Sequence, residues 1–247
     1  MERPRDVFAN ACAQIAARLS DAGFRFAKSG PHATRKSGDF TFKVAFQSSH
    51  RNAAGAIVKL WIDGKVFSKK IEAWRKNYPL LDGADYVAGC QVGNLTDQTI
   101  FNDWNLADPA SRPSAIENAT QTVLSVALPY FSQFEDLDGL IAKAQANDIP
   151  SMTIDRVVEF LICFANPLAA KNAAANFLER HPNFVSNYSR DFGRYAERGL
   201  GYRHASGYAA QLALASHLFG FGDLTKNVPA RTLPVSGMHD KQKSDHA

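Results

Sequence analysis

A chain of 247 residues that is 45% hydrophobic and 11% aromatic has enough apolar material for a buried core. It has no run near the roughly 18 apolar residues of a spanning helix. The formal net charge of +4 hides a division: residues 25–77 carry twelve Lys/Arg against three Asp/Glu, whereas 78–160 carry three against twelve. Three scattered cysteines, Cys12, Cys90 and Cys163, argue against a disulfide framework; with no readable secretory signal they make a cytoplasmic protein the expectation.

The first element is an amphipathic helix over about Asp6 to Ala22, with Val7, Phe8, Ala11, Ile15 and Leu19 near the helical period and Gly23-Phe24 as its stop. A short extended stretch follows over Phe24 to Ala27, then a turn-prone segment holding Ser29, Gly30, Pro31 and later Ser37-Gly38. Asp39 to Gln47 alternates as a half-buried strand, with Phe40, Phe42, Val44 and Phe46 on one side. Ala56 to Ile62 is a second strand, and Asp63-Gly64 reads as a tight hairpin turn. Ser68 caps a helix to about Asn77, and a further strand spans Asp85 to Asn94, where Gly89 and Gly93 mark a bulge or a close backbone neighbour.

From about residue 111 the period is helical. Ser114 and Glu117 have capping-box spacing, and Pro129 stops or kinks the helix that follows. Helices are expected over Asp136 to Asn147, after Thr153, over Leu168 to Arg180, along the aromatic stripe Phe184, Tyr188, Phe192, Tyr195, and over Ala205 to Phe219. The fold class is therefore α+β: an N-terminal helix with a small, mainly antiparallel sheet over 1–134, a helical unit over 135–221, and a disordered tail over 222–247.

The helix ending in Gly23-Phe24, the basic segment after it, Phe40-Thr41-Phe42 and Leu128-Pro129-Tyr130-Phe131 together resemble certain bacterial families known only as domains of unknown function. Some members of those families sit near toxin and antitoxin-like genes. The resemblance spans about residues 1–135 and implies an α+β sheet domain with a partner-binding role such as immunity to a toxin. It implies no catalytic residues.

Reaction motifs are missing from the sequence. The seven histidines (His32, His50, His181, His204, His217, His239 and His246) have no metal-ligand spacing with each other or with cysteine. There is no G-x-S-x-G elbow, and Gly199-Leu200-Gly201-Tyr202 lacks the Lys-Ser/Thr of a phosphate loop. Neither an enzyme nor a cofactor or metal is expected. The sequons at Asn94, Asn118 and Asn187 carry no weight without a secretory route.

Charge then supplies the functional expectation. Asp97, Asp103, Asp108, Glu135, Asp136 and Asp138 are candidate partner-binding residues, forming an acidic surface suited to capturing a basic toxin. Helix-start acids also arise simply from favourable interaction with the helix dipole. The alternative is nucleic-acid binding by a basic sheet face, with Arg35, Lys36, Lys43, Lys59, Trp61, Lys69 and Lys70 as its candidates. In a third arrangement the basic and acidic blocks face each other inside the molecule, which leaves little field for recruiting anything.

Overall fold

The computed structural model of this chain describes residues 2–81, 83–96, 100–199 and 207–227. Helix α1 (Pro4–Arg18) opens with a proline whose missing N–H costs nothing in a first turn, and places Asp6 and Arg18 with the helix dipole. It ends a turn earlier than the periodicity predicts. Gly23, at a φ of +81°, reverses the chain, and the Phe24 amide donates to the Leu19 carbonyl at 3.1 Å.

Strands β1 (Arg25–Ala27), β2 (His32–Ser37), β3 (Phe40–Ser48), β4 (Lys59–Ser68) and β5 (Tyr86–Gln91) form an antiparallel sheet in that order. The two-residue β6 (Trp104–Asn105) also pairs with β4, at Lys59 and Leu60. Phe40, Phe42, Val44 and Phe46 of β3 point into the core with Leu60, Ile62 and Val66 of β4. Two features correct the sequence reading. The segment expected to be turn-prone contains β2, with Gly38 making the turn into β3. Asp63-Gly64, expected as a hairpin turn, lies in the middle of β4. A Cβ on Gly64 would sit 2.7 Å from Leu95 Cδ1 and 3.4 Å from the Phe131 ring. Gly89 is the expected close backbone neighbour: at a φ of +128° it packs against the Gly64 carbonyl.

Ser68 Oγ accepts from the Ile71 amide and caps α2 (Lys69–Arg75), as expected. Helix α3 (Arg112–Thr122) starts differently: the Asp108 carboxylate, not a capping box at Ser114, accepts the Ala110 and Ser111 amides just before the helix. The chain then widens into a π turn over Val123–Ala127 before α4 (Leu128–Ser132), where Pro129 has no amide to donate. Asp136 caps α5 (Leu137–Gln145) by accepting from the Gly139 amide. Helices α6 (Ile154–Phe164), α7 (Pro167–Arg180), α8 (Val185–Arg198) and α9 (Tyr208–Leu218) complete the α+β architecture.

The described helices cover one sheet face only. Phe131 stacks on Phe42 with centroids 5.1 Å apart, and Phe40 meets Phe134 of the α4 exit and Phe164 of α6. One hydrophobic cluster runs from Val7 of α1 through the sheet to Leu212 of α9 and Leu224. Leu224, expected at the start of a disordered tail, is buried and donates its amide to the Tyr188 hydroxyl, while 228–247 lie outside the described residues.

A buried ion pair ties α2 to α6. Arg75 Nε donates to Glu159 Oε2 at 2.6 Å, and both side chains are 4% exposed. The guanidinium also donates to the carbonyls of Ala84 and Tyr86, at 2.7 and 2.8 Å. Burial pushes Glu159 up and Arg75 down, outweighing the pull that each exerts on the other.

Candidate functional site

The strand period of two puts alternate residues on the sheet face that the helices leave uncovered. Strand register gives that face Arg25, Thr34 and Lys36 from β1 and β2, and Thr41, Lys43, Ala45 and Gln47 from β3. From β4 it receives Lys59, Trp61, Asp63, Lys65 and Phe67. All keep partial or full exposure. Of the seven nucleic-acid candidates, Lys36, Lys43, Lys59 and Trp61 therefore converge on one surface.

The other three do not. Arg35 lies on the helix-covered side, its guanidinium 5.1 and 5.4 Å from the ring centres of Phe42 and Phe24 and its Nη2 3.1 Å from Glu135. It serves the core as a cation over aromatic rings. Lys69 and Lys70 open α2, and Lys70 Nζ lies 4.3 Å from the Phe164 ring centre on the helix side.

Ion pairing divides the open face. Lys65 pairs with Asp63 at 2.9 Å, Asp63 also accepts from Gln47, and Lys59 pairs with Asp103 at 2.7 Å. Among the described residues Arg25, Lys36 and Lys43 have no such acid, so the β1–β3 half of the face is a patch of cations and threonine hydroxyls. Lys43 stands directly opposite Lys65, and while Asp63 holds the Lys65 ammonium at 2.9 Å, Lys43 has no acid among the described residues.

The acidic candidates scatter. Asp103 is on the open side, bound to Lys59, and Glu135 is on the helix side, bound to Arg35. Asp108 and Asp136 hold helix starts, and Asp108 is held below its ordinary value by the amides of Ala110 and Ser111. Asp138 is exposed in the first turn of α5. Asp97 lies outside the described residues. Opposite charges from the two sequence blocks thus pair within the chain at Arg35–Glu135, Lys59–Asp103 and Arg75–Glu159, of which only the last is buried.

One exposed group was not legible as a site residue. Phe101 is 62% exposed and its neighbour Ile100 53%, the highest exposures of aromatic and β-branched apolar side chains among the described residues. They fit neither a strand nor a helix period, and that misfit is the only signal the sequence carried. The loop around them is fastened. The Ile100 amide donates to the Gly93 carbonyl at 3.1 Å, Gln91 Nε2 donates to the Asn102 carbonyl at 2.6 Å, and Asp103 holds Lys59.

The thiols are poor nucleophiles. Burial pushes Cys12 up to about 12 and also raises Cys90 and Cys163; at Cys90 the Ser151 hydroxyl, 2.7 Å away, opposes the shift. Three histidines are spoken for by packing: His217 stacks on Phe192 at 4.1 Å, His181 lies against Phe177 and Phe184, and His32 contacts the Gly30 carbonyl. His204, His239 and His246 lie outside the described residues. No group of three or more His, Cys, Asp or Glu among the described residues has metal-holding geometry, and no described helix is long and apolar enough to cross a membrane. No family model, curated protein or solved structure matches this chain.

Proposed function

We propose that this chain is a non-enzymatic binding protein whose ligand is nucleic acid, held on the uncovered face of the sheet. The observation that carries this reading is the convergence of Arg25, Lys36 and Lys43, without acidic partners among the described residues, beside Thr34 and Thr41. Unneutralised cations on a flat surface favour a phosphate backbone, whose binding releases condensed counterions. Threonine hydroxyls add donors for phosphate oxygens. Trp61 and Phe67, both partly buried, give the same face an aromatic component, which single strands use for stacking. The test is fluorescence anisotropy with a labelled oligonucleotide across a salt series. Binding that weakens linearly on a log–log plot supports the reading; no binding at low salt removes it.

A second reading keeps the toxin-immunity expectation. The start of α5 offers Glu135, Asp136 and Asp138 around Leu137, an apolar side chain that is 37% exposed. An apolar anchor rimmed by acids suits a basic protein partner, and long-range attraction would speed its capture. Glu135 and Asp136 already serve Arg35 and the helix cap, so this corner offers less free charge than the sequence alone implies. Copurification with the product of a neighbouring gene, with association slowed by charge reversal at Asp138, supports it; an unchanged on-rate removes this corner from the interface.

A further inference from the structure

Phe101 exposes more of its side chain than any other aromatic among the described residues, yet its loop is fastened at three points: Ile100 to Gly93, Asn102 to Gln91 and Asp103 to Lys59. Burying a phenylalanine stabilises a fold, so a ring left in water forgoes that stabilisation. An uncovered ring carried on fastened backbone meets a partner with part of the ordering cost already met.

Two of the three fastenings tie the loop to the open face: Lys59 lies on it, and Gln91 pairs across the sheet with Asp63, which also lies on it. Phe101 therefore lies between fastenings that reach β4 at Lys59 and across from Asp63, and Lys65, opposite Lys43, lies two residues beyond Asp63 along the strand. At about 3.3 Å per residue, the open face of β4 from Lys59 to Lys65 is a track of roughly 20 Å. A track of that length with an aromatic ring beside it matches what single strands require: cations along the backbone and a π face for an unstacked base. A duplex keeps its bases stacked on one another and has no use for such a ring.

We propose that Phe101 is a stacking platform for one base of a single-stranded nucleic acid whose backbone crosses the open sheet face toward Lys43. This rests on the nucleic-acid reading given above and makes it specific to single strands. The experiment compares a labelled 12-nucleotide deoxythymidine strand with a duplex of equal length, by anisotropy at low salt. Four proteins are tested: the full chain and its Phe101→Ala, Phe101→Leu and Phe101→Trp variants. The exposed position makes all three expected to fold, which circular dichroism checks.

Phe101→Ala and Phe101→Leu are expected to weaken single-strand binding about 5- to 100-fold, with Phe101→Trp at or above the original affinity. Duplex binding is expected to be the weaker and to be unchanged by any of the three. Equal single-strand affinity in all four proteins overturns the stacking role while leaving the basic-face reading in place. A Leu variant that binds as well as the original also overturns it, since an apolar contact then suffices. No binding of either nucleic acid by the original chain overturns both.

Discussion

Lys43 stands directly across the β3–β4 pair from Lys65, and of the two only Lys65 has an acid beside it, Asp63 at 2.9 Å. Like charges at opposed strand positions are destabilising, by an amount comparable to the gain from an opposite-charge pair, roughly 0.2 to 1 kcal/mol. The sheet keeps this pair on the face that the helices leave uncovered. An anionic ligand above the two ammonium groups would convert the repulsion into binding energy, and the predictions for the site follow from that.

Replacing Lys43 by Glu should weaken oligonucleotide binding and lower the salt slope, by about 0.7 for each single-strand phosphate that the protein no longer neutralises. Lys36→Glu should act in the same direction. Arg35→Gln should instead act on stability, because the guanidinium lies over Phe24 and Phe42 and against Glu135 on the other side of the sheet. Affinities at several salt concentrations, paired with denaturant midpoints, separate the two kinds of effect.

Removing one partner of the buried Arg75–Glu159 pair should cost more than removing both. Arg75→Met leaves the buried Glu159 carboxylate to Arg156 alone, whose Nη1 donates to Oε2 at 3.1 Å, and is expected to destabilise by up to about 3 kcal/mol, with Arg75→Met/Glu159→Leu losing less. Urea denaturation of the three proteins checks this. A double variant as unstable as the single one would show that the Arg75 bonds to the Ala84 and Tyr86 carbonyls matter more than the pair.

Much of the fold was legible because it is written in periods of two and 3.6. The alternation of Phe40, Phe42, Val44 and Phe46 gave β3 and its buried face, and the stripes of the later helices gave the helical half. β2 was illegible because its core side holds only Ala33, Arg35 and Ser37, so no apolar alternation marks it. Asp63-Gly64 misled for a different reason: the glycine sits in mid-strand with Leu95 and Phe131 packed close over it, a contact that no local pattern carries.

The candidate site was half legible. Charge segregation identified the basic strands and allowed pairing between the two blocks, but not that Arg35 would turn inward or that Glu135 and Asp103 would be the acids that pair. Those are pairings across long sequence separation. Phe101 was invisible because exposure is a property of the folded loop.

The three thiols should be nearly unreactive in the native protein. With Cys12 pushed up to about 12 and Cys90 and Cys163 raised by burial, little thiolate exists at pH 8. Reaction with a chromogenic disulfide should be slow in buffer and should reach three equivalents only in denaturant. Rapid native labelling of Cys12 would contradict its burial.

Asp108 gives stability a defined pH dependence. Its folded value is depressed, so its contribution is fully present above the ordinary carboxylate range, near 4, and is lost as pH falls through the depressed value. The gap in denaturant midpoint between the original chain and Asp108→Ala should be constant from pH 7 to about 5 and should close in more acidic solution. A gap that widened on acidification would mean that the carboxylate does not hold the Ala110 and Ser111 amides.

The most direct measurement of the central claim is the affinity of the full chain for a labelled 12-nucleotide single strand at a series of salt concentrations. A linear fall of log affinity with log salt, with a slope reporting three or so neutralised phosphates, is the predicted result for Arg25, Lys36 and Lys43 acting together. A flat line, or no binding at the lowest salt, would contradict it.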